Sequence, residues 1–435
     1  MFYRPTHHAT GEMWDTWLYW HAGTCYLYYL AKTTDQWDNI SMATSRDGVH
    51  WTELGPIMHK GAGVTWMGTG STWQAPLPAR LGAFHMNFSE WKGPRQTIFF
   101  AASDDLVHWR RLDAEPEFVQ DERWYERLGR WDCIWTIPRP AGGLYGYWTA
   151  SPKLETGGRF GFGQSMDGVN WEALPPPKVH GASEGEVGAI EEIGGRYYMM
   201  FGSYPHMVTL VAERPDGPFH VARKNRALLG GHTYFSRFFP APAGLLVNHH
   251  SMARDGHIYM GLLKKAVVDE EGVLRLAWWK DNATLRQQKT ELKIPCAPSA
   301  GECVQMLPGT FDAAQGLILE CRLVLPPTPF AARRGLYVEC AGGSGTAVLF
   351  DAQGRAEFSQ TDPRGSVCAV ERRIDREMDF TGTSRLRLVL AHSLMELYLD
   401  DILVECFSLP SAATGRLGLV QGGALCVFSE LIIWH

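Results

Sequence analysis

Long apolar runs are missing from this 435-residue sequence. No stretch approaches the roughly 18 consecutive apolar residues of a membrane-spanning helix. The N-terminal segment also lacks the apolar core of a signal peptide, because Arg4, Glu12 and Asp15 interrupt it. These absences predict a cytoplasmic protein with no membrane partner.

An excess of positive charge is missing too. The formal net charge is −6 at pH 7, the sequence pI is about 6.2, and no basic run of the nucleic-acid-binding type occurs. The electrostatic attraction that drives non-specific binding to nucleic acid is therefore absent. We predict no nucleic-acid partner.

Patterns typical of metal sites and disulfide frameworks are absent. The nine cysteines include no C-x-x-C pair, and a chain of this size does not need a disulfide framework. We interpret the cysteines as buried thiols. Several histidines fit no zinc-ligand spacing, namely His7, His8, His206, His232, His249 and His250. We therefore predict no metal and no cofactor.

Helical periodicity is also absent, whereas a repeat is present. The segment Ser45–Trp51 recurs as Ser103–Trp109 and again as Ser165–Trp171. Its Asp-Gly step is a tight-turn signal between two strands. A repeat of about 60 residues flanked by β-rich runs is typical of propeller blades. The aspartates of the repeat are predicted to be structural, and its tryptophans to pack between blades.

The β-rich runs extend over five repeat-sized segments and then change character. Several prolines and glycines mark a linker between residues 290 and 309. Short strand candidates separated by turns follow it, as in a β-sandwich. The sequence predicts an all-β chain: a five-bladed β-propeller over residues 1–290, followed by a C-terminal β-sandwich over residues 305–435.

Several segments, from the N-terminus to Arg387–Asp401 in the tail, resemble glycoside hydrolase family 32, the family of invertases and fructanases. Trp14–Tyr29 resembles its first aromatic strand pair, and Gly68–Ser71 lies where the family has F-S-G-S. Trp131–Cys133 occupies the place of the R-D-P triplet, and Glu186–Gly195 that of the E-C-P-D segment. The related family 43 shares the propeller and the three acids.

The resemblance implies three catalytic carboxylates. Asp15 falls on the nucleophile, Glu186 on the acid/base and Asp132 on the residue that stabilises the transition state. Glycoside cleavage needs two carboxyl groups beside the bond, and one of them must donate a proton to the leaving oxygen. Glu184 and Glu126 are rival acids in the sequence.

The sequence also offers candidate substrate contacts. Some lie in or beside the family motifs, and others lie just before the fifth blade. They are Trp14, Trp17, Trp37, Gly70, Ser71, Trp131, His232, Tyr234 and Arg237. Trp14, Trp17 and Trp131 replace family residues that contact the fructosyl ring, so these positions depart from the pattern for fructose.

We therefore predict a glycosidase that acts on a furanoside-type, fructosyl-like substrate with retention of configuration. Its partner would be an oligosaccharide or a small glycoside. One alternative is a family 43-like inverting arabinofuranosidase, xylosidase or galactosidase. Another is a propeller that binds sugar without catalysis.

Overall fold

The computed structural model covers the chain in twelve ranges. It describes residues 1–6, 12–33, 36–77, 81–113, 117–153, 160–182, 185–226, 228–294, 299–326, 334–380, 382–423 and 427–435. Within these ranges, no helix is long and apolar enough to cross a membrane.

The chain divides into two compact units. The first, here the propeller unit, comprises residues 3–250 and 258–275. The second, here the sandwich unit, comprises residues 1–2, 251–257 and 276–435. The bounds drawn from composition, 1–290 and 305–435, stay a prediction.

The propeller unit is built from five antiparallel sheets in chain order, with one parallel pair at the outer edge of the fourth. Blade 1 contains β1 (Trp14–His21), β2 (Thr24–Ala31), β3 (Asn39–Ser45) and β4 (Thr52–His59). Blade 2 contains β5 (Trp66–Met67), β6 (Thr72–Gln74), β7 (Phe84–Lys92), β8 (Arg95–Ser103) and β9 (Arg110–Arg111). Blade 3 contains β10 (Trp131–Pro138), β11 (Leu144–Ala150), β12 (Gly161–Ser165) and β13 (Trp171–Leu174).

Blades 4 and 5 complete the propeller unit. Blade 4 contains β14 (Val179–His180), β15 (Glu186–Ile193), β16 (Arg196–Ser203), β17 (His206–Ala212) and β18 (Phe219–Val221). Blade 5 contains β19 (Ser236–Ala241), β20 (Gly244–Met252), β21 (Ile258–Met260) and β22 (Lys264–Val268). Strand β23 (Leu274–Trp278) includes residues of both units. The predicted five-bladed architecture is confirmed.

The repeated segments form the same hydrogen-bonded turn in blades 1, 2 and 3. In blade 3, Asp167 accepts hydrogen bonds from the backbone N–H groups of Val169 and Asn170, at 2.9 and 2.8 Å. Ser165 accepts one from Gly168 at 2.8 Å. The closing tryptophan, Trp171, packs edge-on against Trp73 of blade 2. The repeat is thus a blade-closing device, as its sequence predicts.

The inner strands of blades 1, 3 and 4 share a second feature, a β-bulge close to their first residues. The register of β1 against β2 shifts between Trp14 and Trp17, and that of β10 against β11 between Asp132 and Trp135. Strand β15 shifts between Val187 and Ala189. A bulge re-aims the side chains beside it, so these three strand starts need not follow simple in–out alternation.

The sandwich unit contains two sheets. One has the order β33-β32-β31-β26-β35-β24 within this unit, and the other has the order β25-β34-β27-β28-β29-β30. The strands are β24 (Lys289–Glu291), β25 (Ser299–Met306), β26 (Leu317–Val324), β27 (Arg334–Cys340), β28 (Gly345–Phe350), β29 (Arg355–Thr361), β30 (Val367–Asp375), β31 (Thr383–Ala391), β32 (Leu394–Leu399), β33 (Ile402–Ser408), β34 (Ala413–Gly423) and β35 (Phe428–Trp434).

Side chains from both sheets form one apolar core in this unit. Leu319, Leu388 and Ile433 contribute from the first sheet, and Val338 and Phe358 from the second. Alternating strand residues that face inward are what a β-sandwich requires. The predicted β-sandwich is confirmed.

Candidate active site

A cavity of about 1310 Å³ opens in the propeller unit. All five blades or the segments leading into them contribute to its wall, and the three sequence-predicted acids, Asp15, Asp132 and Glu186, lie in it. Each acid comes from the start of a different inner strand: β1, β10 or β15. Residues separated by up to 171 positions in the sequence are thereby brought to one site.

Asp132 and Glu186 share one arginine. Arg130 Nη2 donates to Asp132 Oδ2 at 3.2 Å and to Glu186 Oε1 at 2.7 Å. Because both contacts use the same nitrogen, the two oxygens are separated by no more than the sum of these distances, about 5.9 Å. The guanidinium also offsets the repulsion between two neighbouring carboxylates. Sequence reasoning missed Arg130, because Trp131 stands where the family has its arginine.

The second oxygen of Glu186 contacts a tyrosine. Tyr234 Oη donates to Glu186 Oε2 at 2.7 Å. Gly202 lies opposite Glu186 in the sheet, and a Cβ at Gly202 would come within 2.7 Å of the same hydroxyl. The glycine therefore leaves the space that Tyr234 occupies. Glu186 is held at both oxygens, and its side chain stays 32% exposed to the cavity.

Asp132 is held from behind by a buried polar chain. Ser89 Oγ donates to Asp132 Oδ1 at 2.6 Å, and Gln96 Nε2 donates to Ser89 Oγ at 3.1 Å. The side-chain amide oxygen of Gln96, Oε1, in turn accepts from the Trp131 backbone N–H at 3.1 Å. Gly68 permits this approach, because a Cβ there would lie 2.3 Å from Ser89 Oγ. Burial raises the pKa of Asp132, while Arg130 and Ser89 oppose that rise.

Asp15 sits in a left-handed backbone conformation, with φ of 47°. Its backbone carbonyl accepts a hydrogen bond from Thr69 Oγ1 at 3.1 Å. Burial raises the pKa of the Asp15 carboxyl to about 7, with further contributions from Glu186 and Asp132, although Arg237 opposes the rise. Asp15 is thus poised to change charge near neutral pH.

Arg237 places a second positive charge under the acids. It has 0% exposed surface, and Nη1 donates to the Gly70 carbonyl oxygen at 3.2 Å and contacts Cys133 Sγ at 2.9 Å. A buried charge is tolerated where opposite charge and hydrogen-bond acceptors surround it. Arg237 borders the cavity, but with no exposed surface it cannot touch a ligand in this structure, so its assignment as a substrate contact is corrected. The predicted contacts Trp14 and Tyr234 also line the cavity.

Two of the predicted tryptophans are core residues. Trp17 and Trp131 each have 0% exposed surface, so neither can touch a ligand in this structure. Trp17 Nε1 donates to Thr72 Oγ1 at 3.0 Å, and Trp131 Nε1 to the Phe118 carbonyl at 3.0 Å. Both satisfy their polar atom inside the protein, and their assignment as substrate contacts is corrected.

Four further predicted contacts also lie outside the cavity wall. Trp37 is half-buried under the Lys32 ammonium, 4.9 Å from the ring. Ser71 is 2% exposed and donates to the Ile134 carbonyl. Gly70 is a packing residue, because a Cβ there would lie 1.6 Å from the Asn87 carbonyl oxygen. The last of the four is His232, which does not line the cavity.

The rival acids divide between two outcomes. Glu126 is exposed and does not line the cavity. Glu184 lies outside the described residues, as do His7 and His8. His250 is buried: its Nε2 accepts from the Thr16 backbone N–H at 3.3 Å, and its ring contacts that of Trp14 in a tilted arrangement, with the ring centroids 4.7 Å apart. Burial lowers the pKa of His250 to about 3, so it is a neutral support for this wall.

Comparison with solved structures gives full-length matches. Fructan 1-exohydrolase IIa from Cichorium intybus shares 15% identity over 100% of this chain and 96% of its own, with a TM-score of 0.71. A fructofuranosidase from Schwanniomyces occidentalis, solved with fructose, shares 13% over 100% and 96%, with a TM-score of 0.71. A GH32 β-fructofuranosidase from Bombyx mori, solved as a mutant with sucrose, shares 15% over 96% and 90%, with a TM-score of 0.65.

This chain has the fold of family 32 glycoside hydrolases. No protein-family model and no curated protein sequence matches it. At this identity the likeness covers the fold, and function has to be argued from the site.

Proposed function

We propose that this protein is a glycoside hydrolase that cleaves a furanoside-type, fructosyl-like glycoside. One observation carries the proposal: three carboxylates, each from the start of a different inner strand, line one cavity that also holds two arginines. Sugar binding alone does not require three neighbouring acids whose mutual repulsion must be offset. Hydrolysis of a glycosidic bond does require a pair of them. The solved structures with this fold include enzymes bound to fructose and sucrose.

Each acid has a role in the proposed reaction. Asp15 attacks the anomeric carbon, and Glu186 transfers its proton to the leaving oxygen, so that the glycosidic bond breaks and a glycosyl–Asp15 ester forms. Glu186 then takes a proton from water, whose oxygen attacks the anomeric carbon and releases Asp15. Asp132 stabilises the positive charge that develops on the ring.

The surrounding residues support these roles. The hydrogen bonds from Arg130 and Tyr234 fix the two oxygens of Glu186. When Glu186 is protonated on Oε2, its O–H can donate a hydrogen bond to the Tyr234 oxygen, because a phenol both donates and accepts hydrogen bonds. The Ser89–Gln96 chain orients Asp132 in the same way.

The experiment is a screen of the purified protein against aryl furanosides and pyranosides, followed by the same assay on D15N and E186Q. We expect release of sugar from a furanoside, and loss of turnover in both variants. Release from pyranosides alone would redirect the substrate class. Tight sugar binding without any turnover by the unchanged protein would identify a binding propeller.

A further inference from the structure

Arg237 is a buried cation whose hydrogen bonds go to neutral acceptors. The side chain extends from the second residue of β19 and has 0% exposed surface. Its Nη1 donates to the carbonyl oxygens of Gly70 and Gly188, at 3.2 and 3.4 Å, and contacts Cys133 Sγ. Burial raises the pKa of the Cys133 thiol to about 12, so the thiol is uncharged at neutral pH. A buried cation with neutral acceptors costs folding stability, and this cost calls for a functional reason.

The second guanidinium nitrogen begins a short hydrogen-bonded path to Asp15. Arg237 Nη2 donates to Thr69 Oγ1 at 3.4 Å, and Thr69 Oγ1 donates to the Asp15 backbone carbonyl oxygen at 3.1 Å. A hydroxyl can accept one hydrogen bond while it donates another. Asp15 has a φ of 47°, and a non-glycine residue keeps this left-handed conformation only where its surroundings impose it. The path from Arg237 ends at the backbone that needs this support.

Blade 5 also holds the residue that follows Asp15. Asn248 on β20 is the cross-strand partner of Arg237. Its Nδ2 donates to the carbonyl oxygen and to Oγ1 of Thr16, at 3.1 and 2.8 Å. His250 Nε2 accepts from the Thr16 backbone N–H. Strands β19 and β20 therefore hold Thr16 directly and Asp15 through Thr69.

The charge of Arg237 acts on the Asp15 carboxyl as well. Burial raises the pKa of this carboxyl to about 7, and Arg237 opposes the rise more strongly than Arg130 does. Arg130 is 41% exposed and pairs with the other two acids. The titratable and charged groups that face Asp15 or its backbone from neighbouring elements are Arg237 on β19, Glu186 on β15, Asp132 and Cys133 on β10, Arg130 before β10, Tyr234 before β19 and His250 on β20.

We propose that Arg237 is a positioning residue for Asp15: through Thr69 it holds the left-handed backbone, and through its buried charge it keeps the carboxylate ionised for attack on the anomeric carbon. This inference rests on the proposed hydrolase function and adds to it the residue that prepares the nucleophile. Arg237 acts without touching substrate, because it has no exposed surface. The two arginines thus have separate tasks: Arg130 bridges Asp132 and Glu186, and Arg237 serves Asp15.

The charge is tested by following the ionisation of Asp15 with carbon-13 NMR of the aspartate carboxyl groups. The Asp15 signal is the one missing from D15N, and in the unchanged protein it should titrate near pH 7. In R237M the midpoint should rise by about one pH unit or more, because the opposite charge is lost. R237K keeps the charge and should stay closer to the unchanged protein. For R237M, kcat/KM at pH 6 should fall about tenfold, and this loss should shrink above pH 8.

The hydrogen-bonded path is tested separately with T69V. This change removes the hydroxyl between Arg237 and Asp15 but leaves the charge of Arg237 in place. We expect kcat to fall by at least about fivefold, KM to change less, and the Asp15 midpoint to move by less than about half a pH unit. T69S keeps the hydroxyl and should retain the normal kcat. R275M is the control for loss of a buried arginine, since Arg275 is 6% exposed and pairs with Asp269 away from the cavity wall.

Three results would overturn the proposal. The first is an Asp15 midpoint in R237M equal to that of the unchanged protein, and the second is a normal kcat in T69V. The third is a midpoint shift in R275M as large as that in R237M, which would show that the effect is not specific to Arg237. Should R237M not fold, R237Q removes the same charge while keeping hydrogen-bond donors. Failure of the proposed function is seen separately, as absence of turnover by the unchanged protein, because the titration of Asp15 needs no substrate.

Discussion

The propeller unit holds two sets of aspartates in opposite environments. In the turn repeat, Asp47 accepts hydrogen bonds from two backbone N–H groups and contacts the His50 ring. Partial burial alone would raise its pKa, but these hydrogen bonds outweigh burial and lower the pKa of Asp47 to about 2. The pKa values of Asp105 and Asp167 are lowered for the same reason.

The cavity aspartates show the reverse. Asp15 and Asp132 lie in a low-dielectric wall close to other carboxylates, and the pKa of each is raised. Ionisation of the turn aspartates thus stabilises the folded protein, whereas ionisation of the cavity aspartates destabilises it. Carboxyl groups with raised pKa values of this kind cluster at functional sites. The difference between the turn aspartates and the cavity aspartates can be tested one residue at a time.

The largest effect is expected from Asp15→Asn. The amide cannot act as a nucleophile, so we expect kcat to fall by at least about 10³-fold. Folding should not suffer, because removal of a buried carboxyl with a raised pKa relieves the folded state at neutral pH. The measurement is turnover together with thermal unfolding. A D15N protein with more than a tenth of normal activity would remove Asp15 from the reaction.

A pH effect follows from the same residue. Asp15 must be ionised to attack, and its pKa is about 7, so kcat/KM should fall about tenfold per pH unit below 7 and be about hundredfold lower at pH 5. A profile that is flat from pH 5 to pH 8 would contradict this assignment.

The stability of the protein should also depend on pH through Asp15. The pKa is higher in the folded state than the ordinary value of 3.8, so the folded state binds the proton more tightly. Its contribution to stability is present below about pH 4 and is lost as the pH rises towards 7. The melting temperature of D15N minus that of the unchanged protein should therefore increase between pH 4 and pH 8. A constant difference would show that Asp15 is not desolvated.

A smaller effect is expected from Ser89→Ala. This change removes the 2.6 Å hydrogen bond to Asp132 without touching the cavity, because Ser89 has 0% exposed surface. We expect kcat to fall roughly tenfold, KM to change less, and the acidic limb of the pH profile to move to higher pH. S41A is the matched control: Ser41 is equally buried but donates to Asn39 in blade 1. If the acidic limb of the pH profile is the same in S89A as in the unchanged protein, Ser89 has only a structural role.

The smallest effect on catalysis should come from the turns. Asp167→Ala removes the acceptor for two backbone N–H groups, and we expect a loss of about 1 kcal/mol in unfolding free energy. kcat should be unchanged, because this carboxyl lies outside the cavity wall. Chemical denaturation with parallel assays measures both. A fall in kcat without a change in stability would abolish the distinction between the two sets of aspartates.

The turn repeat and the three acids were predictable from sequence for different reasons. The turn is local: Ser165, Asp167 and Gly168 bond to one another within four residues. The acids required a resemblance to a known family, since no local pattern brings Asp15 and Glu186 together. The structure places all three in one cavity, while their catalytic roles stay a prediction.

The aromatic neighbours of the acids could not be assigned from sequence. Successive strand residues point to opposite sides, and at β10 this sends Asp132 to the cavity and Trp131 to the core. At β1 both Trp14 and Asp15 reach the cavity, because the left-handed Asp15 and the bulge break the alternation. The orientation of the side chains at the start of β1 thus depends on a bulge that the sequence does not predict.

The residues that hold the acids in place could not be predicted from the sequence either. Ser89 and Gln96 lie on blade 2, far in sequence from Asp132 on blade 3. Arg130 lies one residue outside the family triplet, where Trp131 stands in place of the expected arginine. In the structure, the guanidinium of Arg130 contacts both Asp132 and Glu186. These contacts are seen only in the folded chain.

The central claim is that Asp15 and Glu186 form the catalytic pair of a retaining glycosidase. Its most direct test is NMR of the sugar released from a furanoside substrate, read early in the reaction before the anomers equilibrate. Our account predicts that the first product has the same anomeric configuration as the substrate, because two successive displacements at one carbon restore it. A first product of inverted configuration would contradict the glycosyl–Asp15 intermediate and recast Asp15 as the base that activates water.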